Sequence, residues 1–397
     1  MPYLVVLIVL FVGIIASSTN AMANDNQLIA LAKEKLKNVE INDDPNVVRL
    51  LRDIDIIIDD TITTTKITDI WYYPTQVAVQ DYGYDSIYYN GFAETISNVK
   101  ALTLDAQGEI FWSDPNDARV IESESSLSQQ EVNIRVKNNS ANSIFHEVSD
   151  PLISCSKQNT LIVCSAKNIP PLDYGDSYFY QDKAMHVAFS QVNEWQNIAQ
   201  VMLDSYSVAK SDNSSVLKRL PQIVSPEMNI EEKISAIHQY VARDIRYLSQ
   251  SEGGNAYTPH SVSRTVDKKF GDCKDKTVLL LEMFEQIGIP AYPVLVSTNR
   301  QNTDKLLVPS AAYFNHVVMC FEFRGREHCI DATDTTSDWR YTSEWIQGHA
   351  SLVLSDAAEV ITMQQDPQAW EIENQIDIQI TPGGGQTESH TIRFKKA

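Results

Sequence analysis

Two ten-residue stretches of this chain begin and end in cysteine: 155–164 (CSKQNTLIVC) and 320–329 (CFEFRGREHC). In the second, Arg324-Gly325 suits a two-residue hairpin turn, with glycine at a position that needs positive φ. Counting outward pairs 323 with 326, 322 with 327, 321 with 328 and 320 with 329. Facing residues alternate between hydrogen-bonded and non-hydrogen-bonded pairs, and the cysteines land on a non-hydrogen-bonded pair, where side chains approach most closely. A cross-strand disulfide is therefore feasible. Cys155 and Cys164 stand in the same relation around Asn159-Thr160, with poorer turn chemistry. The alternative is that all four are small buried hydrophobes. The chain has five cysteines, so in either account Cys273 is left over. An odd thiol in an exported chain needs an explanation.

Export is the reading of the N-terminus. Leu4 to Ala16 is almost wholly apolar, and Ala21-Met22-Ala23 precedes Asn24. Residues 1–23 thus read as a secretory signal peptide with an A-x-A cleavage pattern. Thirteen apolar residues are too few to span a bilayer comfortably. No Lys or Arg precedes the apolar run, so an uncleaved anchor is the alternative. No other segment is long and apolar enough to span, so no stable membrane span is expected after cleavage. The expected location is periplasmic or secreted, which favours disulfides. The 397 residues are 43% hydrophobic, enough for sizeable cores, and carry a formal net charge of −20. That charge repels phosphate backbones and anionic lipid, so nucleic acid is excluded as a partner.

Hydrophobic period divides the rest. Residues 24–46 form a short helix and linker. Residues 47–190 carry short β-rich runs such as DIDIIID, TTTKITDIWYY, QVAVQDY, EVNIRVK and LIVCSA, separated by turn residues. This pattern predicts a sandwich-like β domain. Over 191–365 the period becomes helical: Trp195, Ile198, Met202 and Tyr206, then Ile230, Ile234, Ile237, Val241, Ile245 and Leu248. Asn229 with Glu232 predicts a capping box, and His238 reads as a satisfied core histidine. Residues 249–260 are loop-like, and 366–397 predict a β hairpin around Gly383-Gly384-Gly385, or the start of a further domain. The fold class is α+β.

The segment FGDCKDKTVLLLEMFEQIGIP carries the chemistry. Asp272 is a candidate N-cap with Asp275 three residues on, Val278 to Ile287 is apolar nearly all round, and Gly288 and Pro290 end the helix. Cys273 is then the first residue of a buried helix, among backbone N–H groups at the positive end of the helix dipole. Lys274 and Lys276 add positive charge, Asp272 and Asp275 oppose it. A helix start favours thiolate, the form a nucleophilic cysteine requires, and its N–H groups suit an oxyanion. The base comes from the hairpin counted above. His316, Val318 and Cys320 share one strand face, and Asp331 faces Val318 on that face. Such diagonal neighbours lie roughly 7–8 Å apart. Asp331 is thus placed to orient His316, whose other ring nitrogen addresses Cys273.

The run Phe270-Gly271-Asp272-Cys273-Lys274-Asp275-Lys276, with FNH ending at His316 and IDAT containing Asp331, resembles the transglutaminase-like core of bacterial exported proteins. The upstream EEKISAIHQYVARDIRY is similar to the helix before that family's cleft, and the likeness runs from about 192 to 365. The preceding β-rich region looks like a β domain often found before this core. The resemblance implies a papain-like fold, with cysteine on a central helix against an antiparallel sheet carrying His and Asp. It also implies an aromatic group near the oxyanion, for which Tyr247 and Tyr257 are the candidates. The expected function is a thiol-dependent amide-bond enzyme, hydrolase or acyltransferase, with a Cys273–His316–Asp331 triad and no cofactor. Its expected substrate is a peptide, a protein or cell wall. The competing reading is an inactive scaffold whose β domain binds a partner. Metal binding by Cys273 is disfavoured because no tight Cys/His ligand spacing occurs.

Overall fold

The computed structural model describes residues 5–10, 20–37, 47–59, 63–73, 100–104, 110–112, 128–170, 179–249, 257–366, 370–380 and 386–396. The expected strand at 76–82, the Gly383–Gly385 turn and most of the 249–260 loop lie outside them. The chain divides into two compact units. One comprises Met1–Ile198 with Asp304–Ala311, and the other Ala199–Ser251, Tyr257–Thr303 and Ala312–Ala397.

The first unit holds β1 (Val5–Leu10), α1 (Asn20–Leu36), β2 (Val48–Ile58), β3 (Thr63–Tyr73), β4 (Lys100–Leu104), β5 (Ile110–Trp112) and β6 (Ser128–Asn138). Beyond these come β7 (Phe145–Val148), β8 (Ser154–Gln158), β9 (Leu161–Ile169), α2 (Tyr180–Lys183) and β10 (Val187–Ser190). Eight strands form one sheet, ordered β5-β4-β1-β3-β2-β6-β9-β8, in which only the β2–β6 pair is parallel. Ala32 of α1 is buried against Leu50, Leu51, Ile70 and Tyr72 of the sheet. Among the described residues β7 and β10 form a second, two-stranded sheet, and Val187 and Phe189 of β10 pack on Val136, Ile162 and Cys164. Val5–Leu10, inside the segment read as a signal peptide, is a strand between β3 and β4. The sequence VVLIVL is β-branched as well as apolar, and so suits a strand. Cys155 pairs with Cys164 across β8 and β9 in a disulfide, and Asn159 takes the positive φ that the turn needs.

The second unit begins within α3 (Trp195–Ser211) and continues through α4 (Ser214–Arg219) and α5 (Ile230–Gln239). The capping box at Asn229 and Glu232 is present. The helical stripe expected to reach Leu248 stops earlier: Tyr240–Asp244 is a π-helical turn, and Ile245 is extended. The apolar spacing of four from Ile237 to Val241 to Ile245 overshoots the helical 3.6, which a π turn absorbs. β11 (Arg246–Tyr247), α6 (Val262–Lys268) and β12 (Phe270–Gly271) lead to α7 (Cys273–Gln286). α7 is the hub of this unit. Val278, Leu279, Leu280, Met283 and Phe284 are wholly buried, each worth about 2 kcal/mol against exposure. Phe284 meets Phe321 edge-on at 5.0 Å. Gly288, at φ 77°, ends the helix as expected.

α7 lies on a five-stranded antiparallel sheet of order β15-β14-β13-β16-β17. Its strands are β13 (Ala291–Val296), β14 (His316–Phe323), β15 (Arg326–Ile330), β16 (Ala350–Val353) and β17 (Val360–Thr362). The β14–β15 register is the one counted from the cysteines, Phe323 with Arg326 through Cys320 with Cys329, and those cysteines form a disulfide. Arg324 and Gly325 both have positive φ, 55° and 74°. A two-stranded hairpin of β18 (Trp370–Ile380) and β19 (Gln386–Lys396) follows.

Candidate active site

The site is built where three chain segments meet: the start of α7, the start of β14 and the end of β15. Asp272 is the N-cap of α7, and its capping box with Asp275 satisfies the backbone N–H groups of Asp275 and Asp272. Gly271 precedes it for a steric reason. A Cβ there would lie 2.6 Å from Asp275 Cβ, so only glycine lets the strand close onto the cap. Asp275 also accepts from the backbone N of His260 at 2.8 Å, and His260 Nδ1 is 3.2 Å from its other oxygen. Burial raises the Asp275 carboxyl above its usual range.

Cys273, the first helical residue, is the only free cysteine. The two lysines expected to supply positive charge are both committed elsewhere. The Lys274 ammonium pairs with the Asp272 carboxylate. Lys276 is completely buried, and its Nζ donates to the carbonyls of Ala242 at 3.2 Å and Ala332 at 3.0 Å. Burial pulls Lys276 down to about 8, against the opposing charge of Asp331.

The positive group facing Cys273 is His316. It is the first residue of β14 and is buried, with Nε2 3.0 Å from Asp331 Oδ2, which leaves Nδ1 as the ring nitrogen that Asp331 does not engage. Burial alone would keep the ring neutral. The hydrogen bonds and charges of Asp331 and Cys273 outweigh it and raise the imidazole to about 9. Asp331 follows β15 directly and is 1% exposed. Burial works against its charge, but His316 and Thr333 win and hold the carboxyl below its usual value. Thr333 donates both its backbone N, at 2.8 Å, and its hydroxyl, at 2.7 Å, to Asp331 Oδ1. Each carboxylate oxygen thus has its own task, Oδ2 toward the imidazole and Oδ1 toward the turn. The structure brings together all three residues named from the sequence.

It also separates the two tyrosines. β11 runs parallel to β12, with Tyr247 beside Gly271 and Leu248 N bonded to Gly271 O at 3.1 Å. Burial, then the charges of Cys273, Asp272 and Asp331, raise the Tyr247 phenol, whose side chain stays half exposed. Tyr257 is raised by burial alone, with no such link to the cysteine. Tyr206, buried on α3, is raised by burial and by the charges of Cys273, Asp272 and Asp275, so it lies beneath the start of α7. Two residues were not anticipated. Trp345 places its ring 4.7 Å from the His316 ring, centre to centre, while remaining 44% exposed. His260 braces the cap through Asp275. Nothing in the local sequence around Trp345 marks it, since it reaches the site by tertiary packing from a short 3-10 turn, Glu344–Ile346. His238 is buried and held down to about 4 by burial, as a core histidine. Among the described residues no three His, Cys, Asp or Glu side chains converge as metal ligands.

Residues 218–342 match the model of the Transglutaminase-like superfamily. Among solved structures, a "putative protease" from Parabacteroides distasonis aligns with a TM-score of 0.64 at 11% identity, over 81% of this chain and 72% of its own. A "putative cysteine protease" from Cytophaga hutchinsonii aligns at 13% identity over 70% of this chain and 83% of its own, with a TM-score of 0.28. A protein described as a TGase aligns at 11% identity over 80% of both chains, with a TM-score of 0.22. The fold likeness rests on the first alone. No curated protein matches the sequence. The chain carries a transglutaminase-like core, with its cysteine on the central helix and its His and Asp on the sheet. Its two disulfides accord with an oxidising environment, and no described helix is long and apolar enough to cross a membrane.

Proposed function

We propose that this protein is a thiol-dependent amide-bond hydrolase acting through Cys273, His316 and Asp331. One observation carries the reading: a buried His316 is held by Asp331 at 3.0 Å and raised to about 9, with the free thiol at a helix start among the causes. At neutral pH such a ring is an imidazolium, and a cation beside a cysteine sulfur stabilises negative charge on it. Sγ of Cys273 attacks the amide carbonyl, forming the S–C bond and moving the π electrons onto oxygen. Backbone N–H groups at the start of α7 face that oxyanion, and the Tyr247 hydroxyl is the candidate side-chain donor. Collapse of the intermediate breaks the C–N bond, and His316 gives its proton to the departing amine. Water then attacks the thioester while His316 takes a proton from it, and the C–S bond breaks, releasing the acid and returning the electron pair to Sγ beside the protonated ring. Asp331 stays ionised and holds the ring in place. An amine in place of water would give acyl transfer, but hydrolysis needs no second binding site.

An exported location, periplasmic or secreted, fits the disulfides, and makes a peptide, protein or cell-wall amide the substrate class. A thiol-directed amide probe should label Cys273 in the wild-type protein, and His316→Ala should abolish the labelling. Equal labelling of the variant would sink the triad.

A further inference from the structure

The hydrogen bonds one turn below Cys273 form a pattern that the chemistry above does not use. Lys276 Nζ donates to the carbonyl of Ala332, the residue immediately after Asp331, at 3.0 Å. Its neighbour Thr277 donates its hydroxyl to the carbonyl of Val317, the residue immediately after His316, at 3.1 Å. Both side chains are buried, Lys276 completely and Thr277 at 3% exposure. Residues three and four along a helix return to the face of the first, so both tethers lie one turn behind the nucleophile. A second bond from Lys276 Nζ, to Ala242 O at 3.2 Å, fastens the π-helical turn Tyr240–Asp244 to the same point.

We propose that Lys276 and Thr277 are positioning residues that set the register between Cys273 and its two partners. The proposal rests on the triad reading and deepens it. The structure gives the reason such a device is needed. Cys273 belongs to a helix, whereas His316 starts a sheet strand and Asp331 follows one, and apolar packing, being non-directional, supplies no bond that ties the helix to either at the level of the triad. A 1 Å misplacement of a reacting group costs on the order of a hundredfold in rate. Two adjacent side chains, each bonded to the backbone next to one partner, supply those ties. Burying an ammonium is costly, and a Met or Leu would fill the same space without that cost. The lysine therefore does something that packing does not require.

The test is alkylation of Cys273 by iodoacetamide at pH 6, where an unassisted cysteine is almost entirely thiol. The other four cysteines are in disulfides, so the signal belongs to Cys273. Thr277→Val keeps shape and loses the hydroxyl, Thr277→Ser keeps the hydroxyl, and Lys276→Met keeps the stem and loses the ammonium. Thermal melts accompany each, and the Thr277 pair decides if Lys276→Met does not fold. The expected result is a slowing of about tenfold for Thr277→Val and Lys276→Met, with Thr277→Ser restored to within about threefold of wild type. Wild-type rates in both Thr277→Val and Lys276→Met, or a Thr277→Ser as slow as Thr277→Val, would overturn the proposal. His316→Ala separates this from the underlying reading. If it alkylates as fast as wild type, the triad itself fails, whatever the tether variants do.

Discussion

Asp331→Asn tests the electrostatics of the site at the group that does most to raise His316. In the wild type, burial of His316 works against its charge, yet hydrogen bonds and charges from Asp331 and Cys273 carry the ring to about 9. Relative to an ordinary histidine near 6.5, that is a preference for the protonated ring on the order of 3 kcal/mol. Among the causes that raise the ring, the hydrogen bond to Asp331 comes first, so removing its charge takes away a large part of what opposes burial. The His316 ring should then titrate well below 9. At pH 8 about nine in ten wild-type rings are protonated, and the protonated fraction should fall in the variant. The assay is NMR titration of ring signals in histidine-labelled protein, with His316 assigned by its loss in His316→Ala. Stability should follow the same linkage. A raised histidine contributes fully below its unfolded value of about 6.5, and its contribution disappears as pH rises through about 9. Wild type should therefore lose stability across that window, and Asp331→Asn should be less stable below it and lose less across it. The depressed Asp331 carboxyl adds a second loss in the wild type, as pH falls below its usual carboxylate range. A variant ring that still titrates near 9 would refute the assignment of the shift to Asp331.

Other outcomes follow from particular contacts. Gly271→Ala puts a Cβ 2.6 Å from Asp275 Cβ, so it should break the capping box, cost about 1–3 kcal/mol in a denaturant melt and slow Cys273 alkylation. Replacing both Cys320 and Cys329 by Ala removes a bridge within the hairpin that carries His316 and Asp331. It should cost about 2–4 kcal/mol by thermal melt and reduce Cys273 labelling, whereas Cys155→Ala with Cys164→Ala should leave labelling unchanged.

Much of the site was legible because its parts are local. The Arg324-Gly325 turn and the flanking cysteines determined a register in which one count brought Asp331 to the face of His316, and the observed pairing follows that count as far as Met319 with Ile330. The caps at Asn229 and Asp272 and the stop at Gly288 are one-turn effects written in adjacent residues. What was illegible depends on direction. Lys276 reads in sequence as charge near a thiol, but its side chain runs inward to two carbonyls. Trp345 arrives from a distant turn. Tyr247 and Tyr257 could not be told apart until β11 was seen pairing with β12, a two-residue contact with almost no sequence signature. In the first unit, alternation gave the strands but not their order, since the parallel β2–β6 pair joins segments about seventy residues apart.

The most direct test of the central claim is to trap the acyl-enzyme. The full chain is incubated with a mixture of peptide and cell-wall amides, quenched in acid and weighed intact. The account predicts an adduct on Cys273 that hydroxylamine removes, as it should a thioester, and that is absent in Cys273→Ala and His316→Ala. A hydroxylamine-sensitive adduct located on any other residue, or one that forms on Cys273 equally well without His316, would contradict it.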